Sequence, residues 1–476
     1  MRVNHSLTVR DGRLFMEDCD TVEIARKFGT PLFLVSENHL RHNLRLYTQA
    51  FENVWSEGPV RIMPSLKANP VIAVRKILSD EGAGCDVFGS GELHAALRGG
   101  VAAEAISVNG SIKDRDIITT AIEVGARIVL DSPRELELCE EVAAKSGKIA
   151  RVMFRIKPFM EELDVMSDYT PEYEIRFMTQ AIKYGIPTSE LLPMGLKAKA
   201  SPHIDPTGVH AHMGRHSKKP EVWRSWVRNC VKLTKQLSDI MDGWRPREMN
   251  FGGGFPSFPD KDTDVTVKGY AGPSLEELAE VLTSSLRTGM RANRLETDGL
   301  SIEVEPGRGI HCDTGIHLAT VKNIKHETWE REYRWAEVDT SQVFLGVGGA
   351  NFDQPRFDFM IASNASGPAA TRADIVGLTC NLEVLFHQVA VPALTTGDVI
   401  ALLNTGSYIE PCTQNFNALP RPGMALVNGR RVDLIKRHET IEDVFARDIV
   451  PARFADIGAP PTPRGNDLSP VSQQAS

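Results

Sequence analysis

The chain has 476 residues, of which 42% are hydrophobic, and a formal net charge of −8, so we expect two globular domains and no general affinity for nucleic acid. No apolar run approaches the roughly 20 residues that cross a bilayer, and the first residues lack the apolar region of a secretory signal. The seven cysteines form no CxxC pair, which predicts a reducing, cytoplasmic setting and argues against structural zinc.

Between residues 60 and 310, short apolar runs rich in β-branched residues alternate with longer segments of helical period. This alternation is typical of strand and helix units that build a parallel sheet. Eight strands are predicted, at 61–68, 82–87, 105–110, 126–131, 151–158, 208–213, 247–253 and 301–307. Eight such units fit a (β/α)8 barrel, whose reactive groups lie at the carboxyl ends of the strands.

The ends of the predicted strands are unusually polar. In a closed barrel these ends meet at one mouth, so their side chains are expected to converge on a functional site. The polar residues at the strand ends are Lys67, Asp86, Asn109, Asp131, Arg155, His212, the 252–254 glycine run and Glu305.

The predicted barrel spans 36–310, and a β-rich domain is predicted from 1–35 together with 311–455. In the β-rich part, apolar strands separated by Gly and Pro turns indicate an antiparallel β domain, and the opening stretch SLTVRDGRLFM is expected to join that domain. Residues 159–206 are interpreted as an insertion over the barrel mouth, and the Pro/Ser-rich residues 456–476 as a disordered tail.

Lys67 ends the first predicted barrel strand. A single lysine is usually a solvated surface residue, so it is a weak signal alone. At a barrel mouth, however, we expect a low dielectric to lower its pKa and to suit its amine to Schiff-base formation.

Two motifs suit the binding of an anion. NFGGGFP places three glycines after a strand, where bare backbone N–H groups can hold a phosphate, although a tight turn is an equally good interpretation. EPGR adds a carboxylate that can pair with a protonated ring nitrogen and an arginine that can reach an anion. A turn with a surface ion pair is the alternative interpretation of EPGR.

HAHMG places His210 and His212 on the same face of a strand, a spacing that also occurs in zinc sites. No third ligand stands at an informative spacing. A ring-stacking role is therefore preferred for His212, with His210 as an ordinary core histidine, and metal binding is the less favoured alternative.

Ten short motifs follow one another along the chain: LKANP, GAGCDVFGSGEL, VNG, VLDSPRELE, KYGI, HAHMG, NFGGGFP, EPGRG, TC and TGSY. In this order they resemble the fold-type III pyridoxal phosphate decarboxylases, a family that includes diaminopimelate and ornithine decarboxylases, over about residues 20–450. The resemblance implies the alanine racemase-like barrel with a β-rich second domain. It also implies pyridoxal 5′-phosphate as the cofactor and a homodimer with shared active sites.

The resemblance assigns catalytic roles to four residues. Lys67 matches the Schiff-base lysine, and His212 matches the imidazole that stacks on the pyridine ring. Glu305 matches the acid that keeps the ring nitrogen protonated, which favours loss of CO2 over racemisation. Cys380 matches the cysteine that reaches across a dimer interface to protonate the carbanion. The implied cofactor-binding residues are Lys67, Asp86, Arg155, His212, Gly252, Gly253, Gly254, Glu305, Arg308 and Tyr408.

The chain departs from the family pattern at positions that concern the phosphate and the substrate. Arg215 follows HMG where the family has a phosphate-binding serine, and Ser217 stands two positions further on. Glu383 is only a gapped match for the carboxylate that binds a distal amine. Gln354 replaces the arginine that diaminopimelate decarboxylases carry before a proline, and the nearby Arg356 would point to the other face of a strand. Gln354, Arg356 and Glu383 are therefore the candidate substrate-binding residues.

The predicted function is decarboxylation of an amino acid or amino-acid conjugate to an amine and CO2, in a specialised pathway rather than ordinary lysine biosynthesis. The substrate amine displaces Lys67 from the cofactor, CO2 leaves, Cys380 returns a proton and Lys67 releases the amine. A racemase on the same fold, a non-catalytic binding homologue and a zinc hydrolase remain as alternatives. The expected partners are a small amino-acid substrate and a second copy of the chain, without metal, membrane or nucleic acid.

Overall fold

The computed structural model describes residues 1–167, 174–214, 218–255, 272–346 and 357–454. Its strands are β1 (Leu7–Arg10), β2 (Arg13–Met16), β3 (Cys19–Asp20), β4 (Leu32–Ser36), β5 (Val60–Ile62), β6 (Cys85–Val87), β7 (Ile106–Val108), β8 (Arg127–Leu130), β9 (Ala150–Arg155), β10 (Ile204–His210), β11 (Glu248–Asn250), β12 (Ser301–Val304), β13 (Gly315–Glu327), β14 (Tyr333–Val338), β15 (Phe359–Ile361), β16 (Thr371–Val376), β17 (Val384–Val391), β18 (Val399–Leu403), β19 (Gly423–Asn428) and β20 (Arg431–Lys436).

Helices flank or connect these strands. They are α1 (Thr21–Phe28), α2 (Glu37–Glu52), α3 (Ile72–Asp80), α4 (Ser90–Arg98), α5 (Arg115–Val124), α6 (Pro133–Ser146), α7 (Ile175–Ala181), α8 (Thr188–Ala200), α9 (Pro220–Ile240), α10 (Leu275–Ala292), α11 (Arg308–His311) and α12 (Ile441–Phe445). Short 3-10 helices lie at Leu66–Ala68, Ala103–Ala105, Cys312–Thr314, Gln342–Phe344, Ala362–Asn364, Glu410–Cys412, Phe416–Ala418 and Ala452–Phe454. Among the described residues, no helix is both long enough and apolar enough to span a membrane.

Eight parallel strands form the predicted barrel, in the order β5-β12-β11-β10-β9-β8-β7-β6. A parallel bridge between Ser65 and Asp86 joins the segment after β5 to β6 and so brings the two edges together. Each strand lies within or overlaps the segment predicted for it, which confirms the barrel. The strands are shorter than predicted, and Lys67 lies in the 3-10 helix that follows β5.

Eight helices surround the barrel: α2, α3, α4, α5, α6, α8, α9 and α10. No helix of this ring follows β12, because the chain passes from there into the second domain. Helix α2, which precedes β5, packs against both α3 and α10 and so occupies the eighth position.

The segment between β9 and β10 is only partly the insertion that we expected. Helix α8 packs between α6 and α9 as an ordinary barrel helix, although Pro193 lies inside it. The Pro-rich composition concealed this helix, which the sequence did not predict. Between β9 and α8, the structure places Tyr184 at the barrel mouth.

The second domain contains a nine-stranded, mostly antiparallel sheet, as predicted, in which β4 pairs with β19 and β14 with β16 in parallel. The long strand β13 pairs with β4 and β18 through its first half and with β14 through its second half. The opening stretch forms strands that pair with one another rather than with this sheet. Strands β1 to β3 form a separate antiparallel sheet, whose Leu7 and Leu14 pack against Leu34 and Leu318 of the large sheet.

Candidate active site

A cavity of about 310 Å³ lies at the carboxyl ends of the barrel strands. Six of the polar strand-end residues named from the sequence meet in its wall: Lys67, Asp86, Asn109, Arg155, His212 and Glu305. The other lining residues are Phe88, Glu92, Tyr184 and His210. The structure therefore brings most of the predicted site together in one place.

Lys67 extends into this cavity and forms an ion pair with Asp86. The Lys67 Nζ lies 2.9 Å from Asp86 Oδ2 and also contacts the Ser65 hydroxyl, which donates to the same carboxylate oxygen at 2.5 Å. Burial is the largest single effect and disfavours the ammonium, but the charge and hydrogen bond of Asp86, together with the nearby Tyr408 and Glu305, outweigh it and raise the pKa of Lys67 above its ordinary value. The expectation of a lowered pKa is therefore wrong, because it considered burial without the paired carboxylate.

Glu305 is buried and is held by donors from three other strands or loops. Asn109 Nδ2 and Asn250 Nδ2 each donate to Glu305 Oε1 at 2.8 Å, and His210 Nε2 lies 3.4 Å from Oε2. Asn109 Nδ2 also donates to Asp86 Oδ1 at 2.6 Å. The two amide donors fix Oε1 in place, and the carboxyl group faces the cavity.

His212 is a neutral imidazole at the cavity wall. Burial lowers its pKa well below the ordinary value, and the nearby positive charges of Arg155 and Lys67 lower it further. The Gly214 N–H donates to His212 Nδ1 at 3.2 Å, so the ring proton belongs on Nε2. The structure thus provides an uncharged ring next to the glycine run, since a Cβ at Gly252 would lie 2.9 Å from the His212 side chain.

Arg155 connects the lysine side of the cavity to the segment after β9. Its Nη1 donates to the Asn109 carbonyl at 3.4 Å, and its Nε lies 3.8 Å from Asp131 Oδ1. The guanidinium also stacks over the Tyr184 ring at 4.8 Å. Asp131 in turn accepts the Gly185 N–H at 2.7 Å, so this predicted strand-end residue supports the wall without lining the cavity.

The glycine run leaves no room for side chains. A Cβ at Gly253 would collide with the Glu305 carbonyl, and one at Gly254 with the Gly214 carbonyl. Gly252 and Gly254 also have φ values of +61° and +86°, which favour glycine. The run therefore forms a cradle of bare backbone beside Glu305, as a phosphate-binding loop requires.

Arg308 and Tyr408 lie together at the same end of the barrel. The Arg308 guanidinium is 5.3 Å from the centre of the Tyr408 ring, and the Tyr408 hydroxyl occupies the space that a side chain at Gly307 would take. Tyr408 has a φ of +60°, and its N–H donates to the Ala68 carbonyl at 2.7 Å, next to Lys67. The predicted phosphate-binding residues thus approach the cavity from both domains.

Cys380 and Glu383 lie outside the cavity of their own chain. Cys380 is exposed, and Asn417 brackets it by accepting its N–H at 3.1 Å and donating to its Sγ at 3.4 Å. Glu383 is buried, and its carboxylate accepts hydrogen bonds from Ser341, from the Gln342 N–H and from Thr379. The structure therefore uses Glu383 as an anchor for its own loop. Four positions named from the sequence, Arg215, Ser217, Gln354 and Arg356, lie outside the described residues.

Several site residues were not predicted from the sequence. Asn250 opens the NFGGGFP motif but was treated as part of a strand, and His210 was interpreted as a core residue although it lines the cavity. Glu92 was missed in the helix that follows β6, where it accepts the Phe88 N–H at 2.6 Å. For His210 the sequence did contain a signal, because side chains two residues apart in a strand lie on the same face and His212 follows it at that spacing. Glu303 and Glu305 have the same spacing and also share a face.

The residues present fit the cofactor that the resemblance implies. Lys67 offers an amine, Glu305 offers an acceptor for a ring N–H, and the glycine cradle offers backbone donors for a phosphate. Within the described part of the chain, no group of three or more His, Cys, Asp or Glu side chains is arranged to hold a metal ion.

Comparison with known proteins agrees with this site. Residues 37–311 match the family model for the pyridoxal-dependent decarboxylase, pyridoxal binding domain. The chain is 27% identical over 458 residues to the diaminopimelate decarboxylases of Methanocaldococcus jannaschii and Methanothermobacter thermautotrophicus, covering 94% and 93% of this chain and 98% and 97% of theirs. The solved structure of the M. jannaschii enzyme with L-lysine superposes with a TM-score of 0.82 at 26% identity, covering 94% of this chain and 99% of that one. The chain therefore belongs to the pyridoxal-dependent decarboxylase family, and pyridoxal phosphate is its cofactor.

Proposed function

We propose that this enzyme removes the carboxylate of an amino acid or amino-acid conjugate, giving an amine and CO2, in a specialised cytoplasmic pathway. The observation that carries the proposal is the convergence of Lys67, His212 and Glu305 on one cavity beside a glycine cradle. Pyridoxal phosphate, when bound, supplies an electron sink for the electrons left by the departing CO2.

Each of these residues contributes a separate function to the reaction. Lys67 holds the cofactor and, when released from it, carries a proton that Asp86 stabilises. Glu305 would accept the ring N–H of a bound cofactor and so favour the protonated ring. Neutral His212 would contact that ring without adding a positive charge of its own. The glycine cradle, together with Arg308 and Tyr408, holds the phosphate.

Cys380 is proposed to act in the cavity of a second copy of the chain. It is exposed and does not line its own cavity. The exposed apolar residues Leu378 and Leu382 flank it in sequence, and the exposed Phe416 precedes Asn417, which hydrogen-bonds Cys380. Apolar side chains of this kind are expected to be covered in an assembly. This arrangement supports the proposal of a homodimer in which each Cys380 delivers a proton to the partner's reaction.

The substrate is proposed to differ from that of the similar enzymes. The Glu383 carboxylate accepts four hydrogen bonds within its own domain. It is therefore poorly placed to bind the distal amine of a substrate. Gln354 stands where an arginine is expected for a distal carboxylate. The second candidate substrate is diaminopimelate, because the similar curated proteins are named for it.

A panel of substrates tests the proposal. The purified enzyme, loaded with pyridoxal phosphate, is incubated with diaminopimelate, lysine, ornithine, arginine and N-acylated or peptide-linked amino acids, and released CO2 and amine are measured. Lys67→Ala is the control for each compound. CO2 release from a conjugate or another amino acid supports the proposal, whereas release from diaminopimelate alone selects the second candidate. Exchange of the α-hydrogen with inversion, without CO2, would identify a racemase.

A further inference from the structure

Two glutamates point into the barrel interior, one from a barrel strand and one from the residues just after that strand. Glu303 lies in β12 and Glu305 follows it two positions later, so both share one face of the extended chain. Both are buried. Two buried carboxylates at this spacing repel each other unless cations or donors lie between them.

The oxygens of Glu303 are divided between two kinds of partner. Oε1 accepts from Arg127, which is fully buried, and lies 3.1 Å from Arg61 Nη1. Oε2 accepts from Asn250 Nδ2 at 3.2 Å. The arginines therefore fix one side of the carboxylate, and the other side faces Asn250.

Asn250 connects Glu303 to the cofactor site. Its Nδ2 also donates to Glu305 Oε1 at 2.8 Å, and its Oδ1 accepts the Gly252 N–H at 2.8 Å. One side chain thus orients both the acid for the ring nitrogen and the first glycine of the phosphate cradle. With an acceptor on both sides of Nδ2, the amide has a single orientation.

We propose that Glu303 is a positioning residue, which acts through Asn250 to orient Glu305 and Gly252 for pyridoxal phosphate. This role rests on the proposed function, since it matters for catalysis only if Glu305 holds the cofactor ring. Glu303 itself does not line the cavity. Its positioning role therefore means that a residue in the barrel interior, beneath the cavity, contributes to the active site.

A glutamine at this position separates the positioning role from simple charge loss. In Glu303→Gln, the arginines attract the remaining oxygen, and the new NH2 group turns towards Asn250 Nδ2. Two donors then face each other, so Asn250 must rotate and loses its bond to Glu305 or to Gly252. A lost hydrogen bond to a charged group weakens cofactor binding about tenfold or more.

Glu248 provides a matched control. It is also buried in the barrel and pairs with the same two arginines, at 2.9 Å from Arg61 and 2.9 Å from Arg127. Its position in the sheet is opposite Ser301, one layer further from the cavity, and it has no hydrogen bond to Asn250 among the described contacts. Glu248→Gln therefore removes an equivalent buried charge without disturbing Asn250.

The two variants and the wild type are stripped of cofactor and titrated with pyridoxal phosphate, and the dissociation constant, the absorbance maximum and the melting temperature are measured. Glu303→Gln is expected to bind about tenfold more weakly and to shift the absorbance maximum, whereas Glu248→Gln stays within about twofold of wild type at a similar loss of melting temperature. Equal affinities in the two variants overturn the role of Glu303.

If Glu303→Gln does not fold, Glu303→Asp decides the question, because it keeps the negative charge beside Arg127 but shortens the side chain that reaches Asn250, whose own bonds to Glu305 and Gly252 are left in place. The same loss of affinity supports the role of Glu303, and an unchanged affinity overturns it. If the wild type binds pyridoxal phosphate but releases no CO2 from any amino acid, the proposed function fails, and the comparison with Glu248→Gln still decides whether Glu303 positions the site.

Discussion

The Lys67 ammonium lies 2.9 Å from the Asp86 carboxylate, and this pair sets the protonation of the amine that we propose binds the cofactor. In Asp86→Asn the opposing charge is lost while burial remains, so the pKa of Lys67 should fall. Capture of pyridoxal phosphate requires the free amine, and its pH profile should therefore move down by about one unit or more. Stopped-flow absorbance at a series of pH values measures this shift.

Asp131→Asn is the control for that experiment, because Asp131 contacts Arg155 and Gly185 rather than Lys67. Its pH profile for cofactor capture should match that of the wild type. An Asp86→Asn profile that also coincides with the wild type would show that Asp86 does not govern the amine.

The glycine cradle predicts a position-specific effect of a single methyl group. Gly254→Ala places a Cβ against the Gly214 carbonyl at a φ of +86°, so the cradle must distort and cofactor affinity should fall by about tenfold or more. Gly91→Ala, in α4, meets no atom within 4 Å and should leave affinity unchanged. Titration of both apoproteins with pyridoxal phosphate compares them. Equal affinities would argue against a phosphate cradle.

Shared active sites predict complementation between two inactive variants. Lys67→Ala lacks the cofactor amine, and Cys380→Ala lacks the proposed proton donor, but a mixed dimer of the two contains one complete site. Random mixing of protomers should therefore restore about a quarter of wild-type activity. CO2 release is measured after unfolding and refolding the two variants together. Activity no greater than that of the separate variants would contradict the proposal that Cys380 of one subunit acts in the active site of the other.

His317 predicts a loss of stability in mild acid. Burial lowers its pKa to about 3, and its Nε2 lies 2.7 Å from the Thr340 hydroxyl. Between pH 6.5 and 3 the unfolded chain binds a proton there that the folded chain does not, so stability falls as pH falls, by about 1.4 kcal/mol per unit for this residue. His317→Gln should reduce that slope in urea unfolding, and the exposed His94→Gln should not. An unchanged slope in His317→Gln would contradict the assignment.

The sequence predicted the barrel well because its strands are apolar runs of regular spacing, and their polar ends identified Lys67, Asp86, His212 and Glu305. It failed on the sign of the Lys67 pKa because the compensating charge belongs to the next strand, and its distance from the amine depends on the closed barrel. It also could not show the hydrogen bonds of Glu383, whose partners Ser341 and Gln342 lie about 40 residues away and meet it only in the folded domain.

The polar interior of the barrel could not be anticipated from local patterns either. Arg127 and Glu303 appear in the sequence as ordinary charges within apolar strands, and they meet only because the closed barrel brings β8 and β12 together across its interior. Asn250 is similar, because its role depends on Glu305 from a neighbouring strand and Gly252 from its own. Hydrogen bonds between distant segments of the chain therefore account for most of what the sequence did not reveal.

The most direct test of the central claim is reduction of the purified enzyme with borohydride, followed by mass spectrometry of its peptides. If Lys67 holds the cofactor, the phosphopyridoxyl group is found on the peptide that contains Lys67, the visible absorbance disappears, and Lys67→Ala shows neither. Labelling of a different lysine, or a wild-type protein that takes up no pyridoxal phosphate, would contradict the site described for this chain.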